Sequence, residues 1–388
     1  MKIALIVQRF PHGGAESYVE EIAQRLYKKG QDVTIISSIN KESNDRQYPF
    51  RIIRLPKLVS IGEYSFWRGL GRLLKKEKFD LVHVNTYGYF HSDYAAFLKK
   101  KLGYKLVLTG HGFTGMDLHD LRKNKTIRKS SPFDIIRPLY DKKIGKKTIK
   151  SCDNLIALSK KDYEFYIQAG VDKSKIVIIP PGIKETFFSE SKNDIDKIKT
   201  KYGDGPILLS VGELSWIKSQ ATMIRAMSFV IKQKPSITLL ILGKNRTELD
   251  NLKQLSKNLG VEKNVFFLGL QDSQEVKKYM HAADILLNTS LAEGLSTILL
   301  EAMACGLPFI TTPSGGNGYL AQESGAGLTV PFEDEKTLAN HILALTSDRK
   351  KMHEMGSKGS IFAKDLGWDA VFKKIAKVYD NLLGSDKN

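Results

Sequence analysis

The sequence predicts an α/β protein built from two doubly wound parallel sheets. Short apolar runs alternate with helical stretches along most of the chain, which is the pattern of βαβ units. Glycine-bearing loops stand between several of these runs and the helices after them, at Gly13-Gly14, Gly110-His111-Gly112, Gly212, Gly243 and Glu293-Gly294. Loops at such strand ends are where open parallel sheets hold ligands. The chain is 388 residues long, enough for two domains that each bury a core.

The first series begins with a strand at residues 3–7, then Pro11-His12-Gly13-Gly14-Ala15-Glu16 and an amphipathic helix with Val19, Ile22, Ala23 and Leu26 on one face. A double glycine before a helix lets an anion approach the helix N-terminus. Strands follow at 33–37 and 50–55. Residues 63–77 read as one helix with Phe66, Trp67, Leu70, Leu73 and Leu74 on its apolar face. Packing on the sheet is preferred there to a membrane-surface helix. Strands at 81–84 and 105–109 come next, the second running into His111 at its carboxyl end, while His83 sits inside an apolar strand as a core histidine. Residues 121–150 carry eleven Lys/Arg against Asp134 and Asp141, interleaved with Phe133, Ile135, Ile136, Leu139 and Tyr140. That composition suits an anionic membrane or a lipid phosphate. Strands at 154–158 and 176–179 complete the sheet, and Pro180-Pro181-Gly182 closes a first domain spanning 1–183. Residues 184–204 have linker composition. Asp194 and Asp196 lie there without a strand context, so no metal is expected.

The second series opens with a strand at 207–211 leading to Gly212-Glu213 and Lys218. Strands at 238–242, closed by Gly243, and at 265–268 alternate with helices near 247–259 and 272–280. The strand 285–287 then leads to Glu293-Gly294, a helix whose apolar side is Leu299, Leu300 and Met303, a stop at Gly306 with Pro308 beyond, and a return strand at 309–311. Ser296 or Thr297 can cap this helix. Backbone amides near Leu295, Ser296 and Thr297 can receive a phosphate, and Gly294 lets a ligand come close. Glu293 suits sugar hydroxyls, and Glu301, about two turns along, suits the vicinal hydroxyls of a ribose. From spacing alone, a loop surface charge at Glu293 and a solvated helix residue at Glu301 are the simpler reading. A strand at 328–330 precedes a helical region, 335–383, whose residues Trp368, Val371, Phe372, Ile375, Val378, Tyr379 and Leu382 form one apolar stripe.

The run Glu293-Gly-Leu-Ser, then Leu-Leu-Glu301-Ala-Met-Ala-Cys-Gly306-Leu-Pro308, then Gly315-Gly316 closely resembles the donor-binding signature of glycosyltransferase family 4, the group 1 glycosyltransferases. Leu295 and Ser296 stand where that pattern usually has phenylalanine and glycine. The resemblance covers nearly the whole chain. It implies the GT-B fold, two facing Rossmann-like domains, with the second (205–365) holding a nucleoside diphosphate sugar and a C-terminal helix (366–388) crossing back to the first. It also implies retaining transfer of a hexose-type sugar to a glycan or lipid-linked acceptor, with no cofactor and no metal. Gly13 and Gly14 would lie against the donor diphosphate and the acceptor, His111 would face the donor sugar, and Gly212 and Lys218 would lie at the diphosphate. Glu213 occupies the position where the family has an arginine that binds the diphosphate. A carboxylate there is repulsive, so either Glu213 points away, or another cation such as Lys244 compensates, or donor affinity is reduced.

The net charge of +18 is one-sided: residues 1–183 carry 34 Lys/Arg against 18 Asp/Glu, and residues 184–388 carry 26 against 24. The first half therefore fits an anionic partner or a solubility surface. A basic nucleic-acid-binding protein is the alternative that the charge allows, but no nucleic-acid module accompanies it. A catalytically weak nucleotide-sugar-binding subunit and an epimerase of the same fold are the alternatives nearest in chemistry. The two cysteines, Cys152 and Cys305, are far apart in sequence, and neither a signal-peptide run nor about 20 consecutive apolar residues is present. The expectation is a cytoplasmic protein, peripheral on the inner face of the membrane if it docks there.

Overall fold

The computed structural model describes residues 1–11, 13–39, 45–61, 64–112, 138–190 and 192–384. It divides into two compact units, Met1–Gly182 with the segment from Trp368 onward, and Ile183–Gly367.

In the first unit the strands are β1 (Lys2–Ile6), β2 (Asp32–Ser38), β3 (Arg51–Leu55), β4 (Lys57–Ile61), β5 (Tyr64–Trp67), β6 (Leu81–Asn85), β7 (Lys105–Thr109), β8 (Asn154–Ala157) and β9 (Ile176–Ile178). Seven of them form a parallel sheet in the order β3-β2-β1-β6-β7-β8-β9. Residues Ile3 to Ile6 are fully buried because both faces of the sheet are covered, which is why β1 reads as an unbroken apolar run. The order reverses at β1, with β2 on one side and β6 on the other, so the switch point lies where the loop bearing Gly13 leaves the sheet.

The helix expected over 63–77 is corrected. Residues 64–67 form β5, antiparallel to β4, and the helix spans only Leu70–Glu77. Burial alternates along β5, with Ser65 and Trp67 inward, a period of two that three aromatic residues favour. Gly69, at φ 89°, breaks the chain before the helix, and Leu70 and Leu74 then bury one side four residues apart. His83 is the core histidine that its apolar strand implies. Its Nδ1 meets Tyr379 Oη at 2.6 Å, its Nε2 meets Thr109 Oγ1 at 2.8 Å, and burial pushes its pKa down to about 3. Tyr379 belongs to the last helix, Trp368–Gly384, which packs into the first unit. Trp368 lies so close under Gly182 that a Cβ there would sit 2.3 Å from the indole. Of the basic stretch 121–150, residues 121–137 lie outside the described residues.

The second unit contains β10 (Ile207–Val211), β11 (Thr238–Leu242), β12 (Val265–Gly269), β13 (Ile285–Asn288), β14 (Phe309–Thr311) and β15 (Gly327–Thr329) in one parallel sheet, ordered β12-β11-β10-β13-β14-β15. Here the order reverses at β10. Residues 184–204 are not a bare linker: a short turn, Glu185–Phe188, and a helix, Lys192–Tyr202, belong to this unit, with Phe187 and Ile198 in its core. The helix buries only Ile198, so nearly all of its sequence is polar surface. The helical region from 335 resolves into Glu335–Ser347, Arg349–Ala363 and Trp368–Gly384.

Candidate functional site

In the second unit the site is built from loops at the carboxyl ends of β10, β11, β13 and β14. After β10 the chain passes Gly212 and Glu213 and makes a tight turn, Trp216–Lys218, before the helix Gln220–Val230. The loop after β13 is tied to that turn: Leu291 N–H donates to Ile217 O at 2.7 Å, and Thr289 Oγ1 donates to Ser219 O at 2.9 Å. Those bonds bring Lys218 Nζ onto Glu293 Oε1, and Ser290 Oγ donates to the same oxygen at 2.8 Å. The Lys218 stem lies over Gly212, 3.9 Å from where a Cβ would stand. An ammonium and its partner carboxylate thus meet where the neighbouring strands β10 and β13 end, next to the backbone at Gly212.

The glycines of this region are spatially required. A Cβ on Gly315, at φ 55°, would fall 2.0 Å from Gly294 O and 2.2 Å from Glu293 O, and Gly316 N–H donates to Gly294 O at 2.6 Å. The double glycine after β14 therefore clamps the backbone that carries Glu293. Ser296 occupies the N-cap position of the helix Thr297–Ala304, but its hydroxyl does not cap: it accepts from Asn288 Nδ2 at 3.1 Å. Its amide donates to Asn317 Oδ1 at 3.0 Å. The anion-binding reading of Leu295, Ser296 and Thr297 thus narrows, since the Ser296 amide is already engaged, leaving those of Leu295 and Thr297. Gly306, at φ 68°, closes the helix in the left-handed conformation expected there.

Glu301 lies on the second turn of that helix, partly buried, with no hydrogen-bond or ion-pair partner among the described residues. Burial pushes its carboxyl up to about 7, with Lys184 pulling the other way. A desolvated carboxylate without a partner is an acceptor waiting for donors. To the alternatives open for Glu213 the structure adds one that the sequence did not suggest: its carboxylate is paired with Arg246. The fork is bidentate, Nε to Oε2 at 2.9 Å and Nη2 to Oε1 at 3.0 Å, and both side chains are about half exposed.

The remaining candidates lie in the first unit. Gly13, at φ 127°, is the N-cap of the helix Gly14–Lys28, and a Cβ there would meet the Glu16 carboxylate at 2.3 Å. His111 follows β7 at φ 53°, edge-on to Tyr18 of that helix with ring centroids 4.8 Å apart. Its Nε2 lies 3.2 Å from Asn85 Oδ1, and burial pushes its pKa down to about 3. The ring is therefore neutral at physiological pH. Asn85 Oδ1 accepts a hydrogen bond from Nε2–H, which leaves Nδ1 as an acceptor for a hydroxyl. Asn85, Ser290, Arg246 and Asn317 contact candidate residues and were not assigned by the sequence reading. Asn317, directly after the double glycine, was the one with a visible positional signal.

Two family models match the chain. The model described as Glycosyltransferase Family 4 matches residues 12–187, and that described as Glycosyl transferases group 1 matches residues 191–361. An uncharacterized glycosyltransferase of Methanocaldococcus jannaschii is 28% identical, covering 98% of this chain and 99% of that protein. Alpha-monoglucosyldiacylglycerol synthase of Streptococcus pneumoniae is 24% identical over 95% of this chain and 89% of its own length. Among solved structures, HepE of Anabaena in complex with UDP superposes with a TM-score of 0.80 at 20% identity, covering 98% of this chain and all of that one, and its complex with UDP-glucose gives 0.78 at 21%. Likeness at that level bears on the fold, and the fold is GT-B. With both family models placed and the two Rossmann-ordered sheets in hand, the chain belongs to the group 1 glycosyltransferases of glycosyltransferase family 4.

Proposed function

We propose that the protein is a retaining transferase that moves a hexose-type sugar from a nucleoside diphosphate sugar to a hydroxyl of a glycan or lipid-linked acceptor. The observation that carries this reading is the grouping in the second unit: Lys218 on Glu293 beside Gly212, and Glu301 partly buried with no hydrogen-bond or ion-pair partner among the described residues. In this reading Glu301 accepts the two ribose hydroxyls. Lys218 and the amides of Leu295 and Thr297 face the diphosphate, and Glu293, released from Lys218 by the phosphate, accepts hydroxyls of the sugar. His111 is the residue whose Nδ1 would accept a sugar hydroxyl. The anomeric carbon–oxygen bond to the distal phosphate breaks, the acceptor oxygen bonds to that carbon on the same face, and the departing phosphate oxygen takes the acceptor proton. Positive charge from Lys218 and the amides stabilises the leaving group, so the reaction needs no metal and proceeds in EDTA. HepE binds UDP and UDP-glucose, which makes UDP the first nucleotide to test.

The test is a thermal-shift panel of UDP, GDP, ADP and their sugar conjugates, repeated on Glu301→Ala, followed by an acceptor assay with the anomeric configuration of the product read by NMR. Stabilisation by one base that is lost in the variant supports the donor site. Binding without turnover over any acceptor would leave the weak-subunit alternative, an altered sugar nucleotide without acceptor would indicate an epimerase, and an inverted product would refute retention.

For the partner of the first unit we propose an anionic membrane at the cytoplasmic face. Lys142, Lys143, Lys146, Lys147 and Lys150 line one concavity, with Leu139 and Ile144 exposed beside them. Their helix is anchored from below by Tyr87 Oη on Asp141 at 2.8 Å and Thr148 Oγ1 on Asp93 at 2.6 Å. Ammonium groups on an anchored helix with apolar side chains beside them suit acidic headgroups. Among the described residues no helix is long and apolar enough to cross a membrane. Sedimentation with acidic but not neutral vesicles, lost on Lys146→Glu/Lys147→Glu, is the expected result, and equal binding to oligonucleotides would favour the nucleic-acid alternative.

A further inference from the structure

The proposed donor chemistry leaves one built feature of the second unit unused. Strands β10 and β11 run in parallel register to Val211 and Leu242, and the loops that leave them are zipped together. Gly212 N–H donates to Leu242 O at 2.9 Å, Leu214 N–H to Lys244 O at 3.0 Å and Arg246 N–H to Leu214 O at 3.3 Å. Gly243 sits so tightly on Gly212 that a Cβ would fall 1.8 Å from the Gly212 carbonyl oxygen. This zipper holds Glu213 and Arg246 side by side in their bidentate pair, one residue on from the glycine that Lys218 lies against.

A half-exposed ion pair contributes little to stability, so stability does not account for a backbone arranged this closely to form it. Its chemistry is more specific. The Glu213 carboxylate uses Nε and Nη2 of the guanidinium, which fixes the plane of the fork and leaves Nη1 to donate elsewhere. Glu213 thereby has its own charge answered and no longer repels an anion at Gly212. A planar cation held at the end of β11, the strand next to the one whose loop carries Lys218, is a phosphate-recognising arrangement. We infer that Arg246 contacts the diphosphate of the donor and that Glu213 is its positioning residue. The inference rests on the donor reading above and adds to it a residue from a different strand. In this chain the carboxylate at 213 serves donor binding by orienting a guanidinium.

The experiment uses calorimetric titration of the full chain with UDP and UMP, or with the GDP and GMP or ADP and AMP pair if the panel selects that base. Charge-assisted hydrogen bonds to phosphate are worth roughly ten- to hundredfold in affinity. Arg246→Gln is expected to weaken UDP by that factor while UMP changes less, so that the preference for the diphosphate shrinks. Arg246→Lys, which keeps the charge and loses the fork, falls between. Glu213→Gln weakens UDP severalfold because the guanidinium is no longer held, and adding Glu213→Arg to Arg246→Gln restores the diphosphate preference. Tighter UDP binding in Glu213→Gln, or an unchanged UDP-to-UMP ratio in Arg246→Gln, overturns the inference. The control Glu301→Ala separates the two levels. If it weakens both nucleotides while the Arg246 variants leave the ratio alone, only this inference fails, whereas if it changes neither nucleotide, the donor reading fails with it.

Discussion

Glu301→Gln should make the empty protein more stable and the donor bind less tightly, and the size of the first effect follows from burial. The carboxyl is pushed up to about 7 from an ordinary value of 4.5 by burial on the second turn of the helix Thr297–Ala304. At about 1.4 kcal/mol per unit, ionising it in the folded state costs roughly 3 kcal/mol more than in the unfolded chain. The sign is that of a raised group: folding carries no penalty from this carboxyl below about pH 4.5, and the penalty grows as pH rises until it is complete above about 7. Glutamine keeps the shape and cannot ionise. Urea unfolding of both proteins from pH 4.5 to 8 should therefore give curves that converge at the acid end and separate by up to about 3 kcal/mol at the alkaline end, glutamine the more stable. That is a large part of a typical domain's stability. Wild-type nucleotide affinity should rise with pH through about 7, as the carboxylate forms, and glutamine should flatten that profile. A stability difference independent of pH would refute the argument that Glu301 is held in the fold as a desolvated, unanswered acid.

Lys218→Gln should reduce kcat/KM by about a hundredfold or more, since it removes a charge at the developing diphosphate; steady-state kinetics at saturating acceptor reads this, and a change under threefold contradicts the assignment. Gly315→Ala should destabilise the second unit by several kcal/mol or fail to fold, because its Cβ has only backbone oxygens to move against at 2.0 and 2.2 Å and its φ is positive; thermal unfolding measures it, and a shift of a degree or less would mean that the loop relaxes freely. Tyr379→Phe should cost about 1–3 kcal/mol by leaving buried His83 Nδ1 unanswered, read by urea unfolding, with unchanged nucleotide affinity in the second unit.

The fold was legible because its strands are buried on both faces. Residues 3–6, 207–209 and 285–287 are continuous apolar runs with glycine loops after them, and neither feature depends on distant parts of the chain. Reading failed where local composition had two physical meanings. Phe66 and Trp67 serve a helix face or a strand equally well until Gly69 is given its left-handed conformation, and a helix that buries only Ile198 is as polar as a linker. For the candidate site, Glu293, Gly294 and Glu301 stood out together through the family resemblance, whereas spacing alone favoured a loop surface charge and a solvated helix residue. It was illegible wherever the proposed site depends on a pair. Lys218 and Glu293 are 75 residues apart and Glu213 and Arg246 are 33 apart, and each pair exists because neighbouring strands end at the same edge of the sheet. A carboxylate at position 213, read alone, is an obstacle to a diphosphate. With β11 packed beside β10 the same carboxylate has a guanidinium across it, and the sign of its contribution becomes a property of the sheet order rather than of the residue.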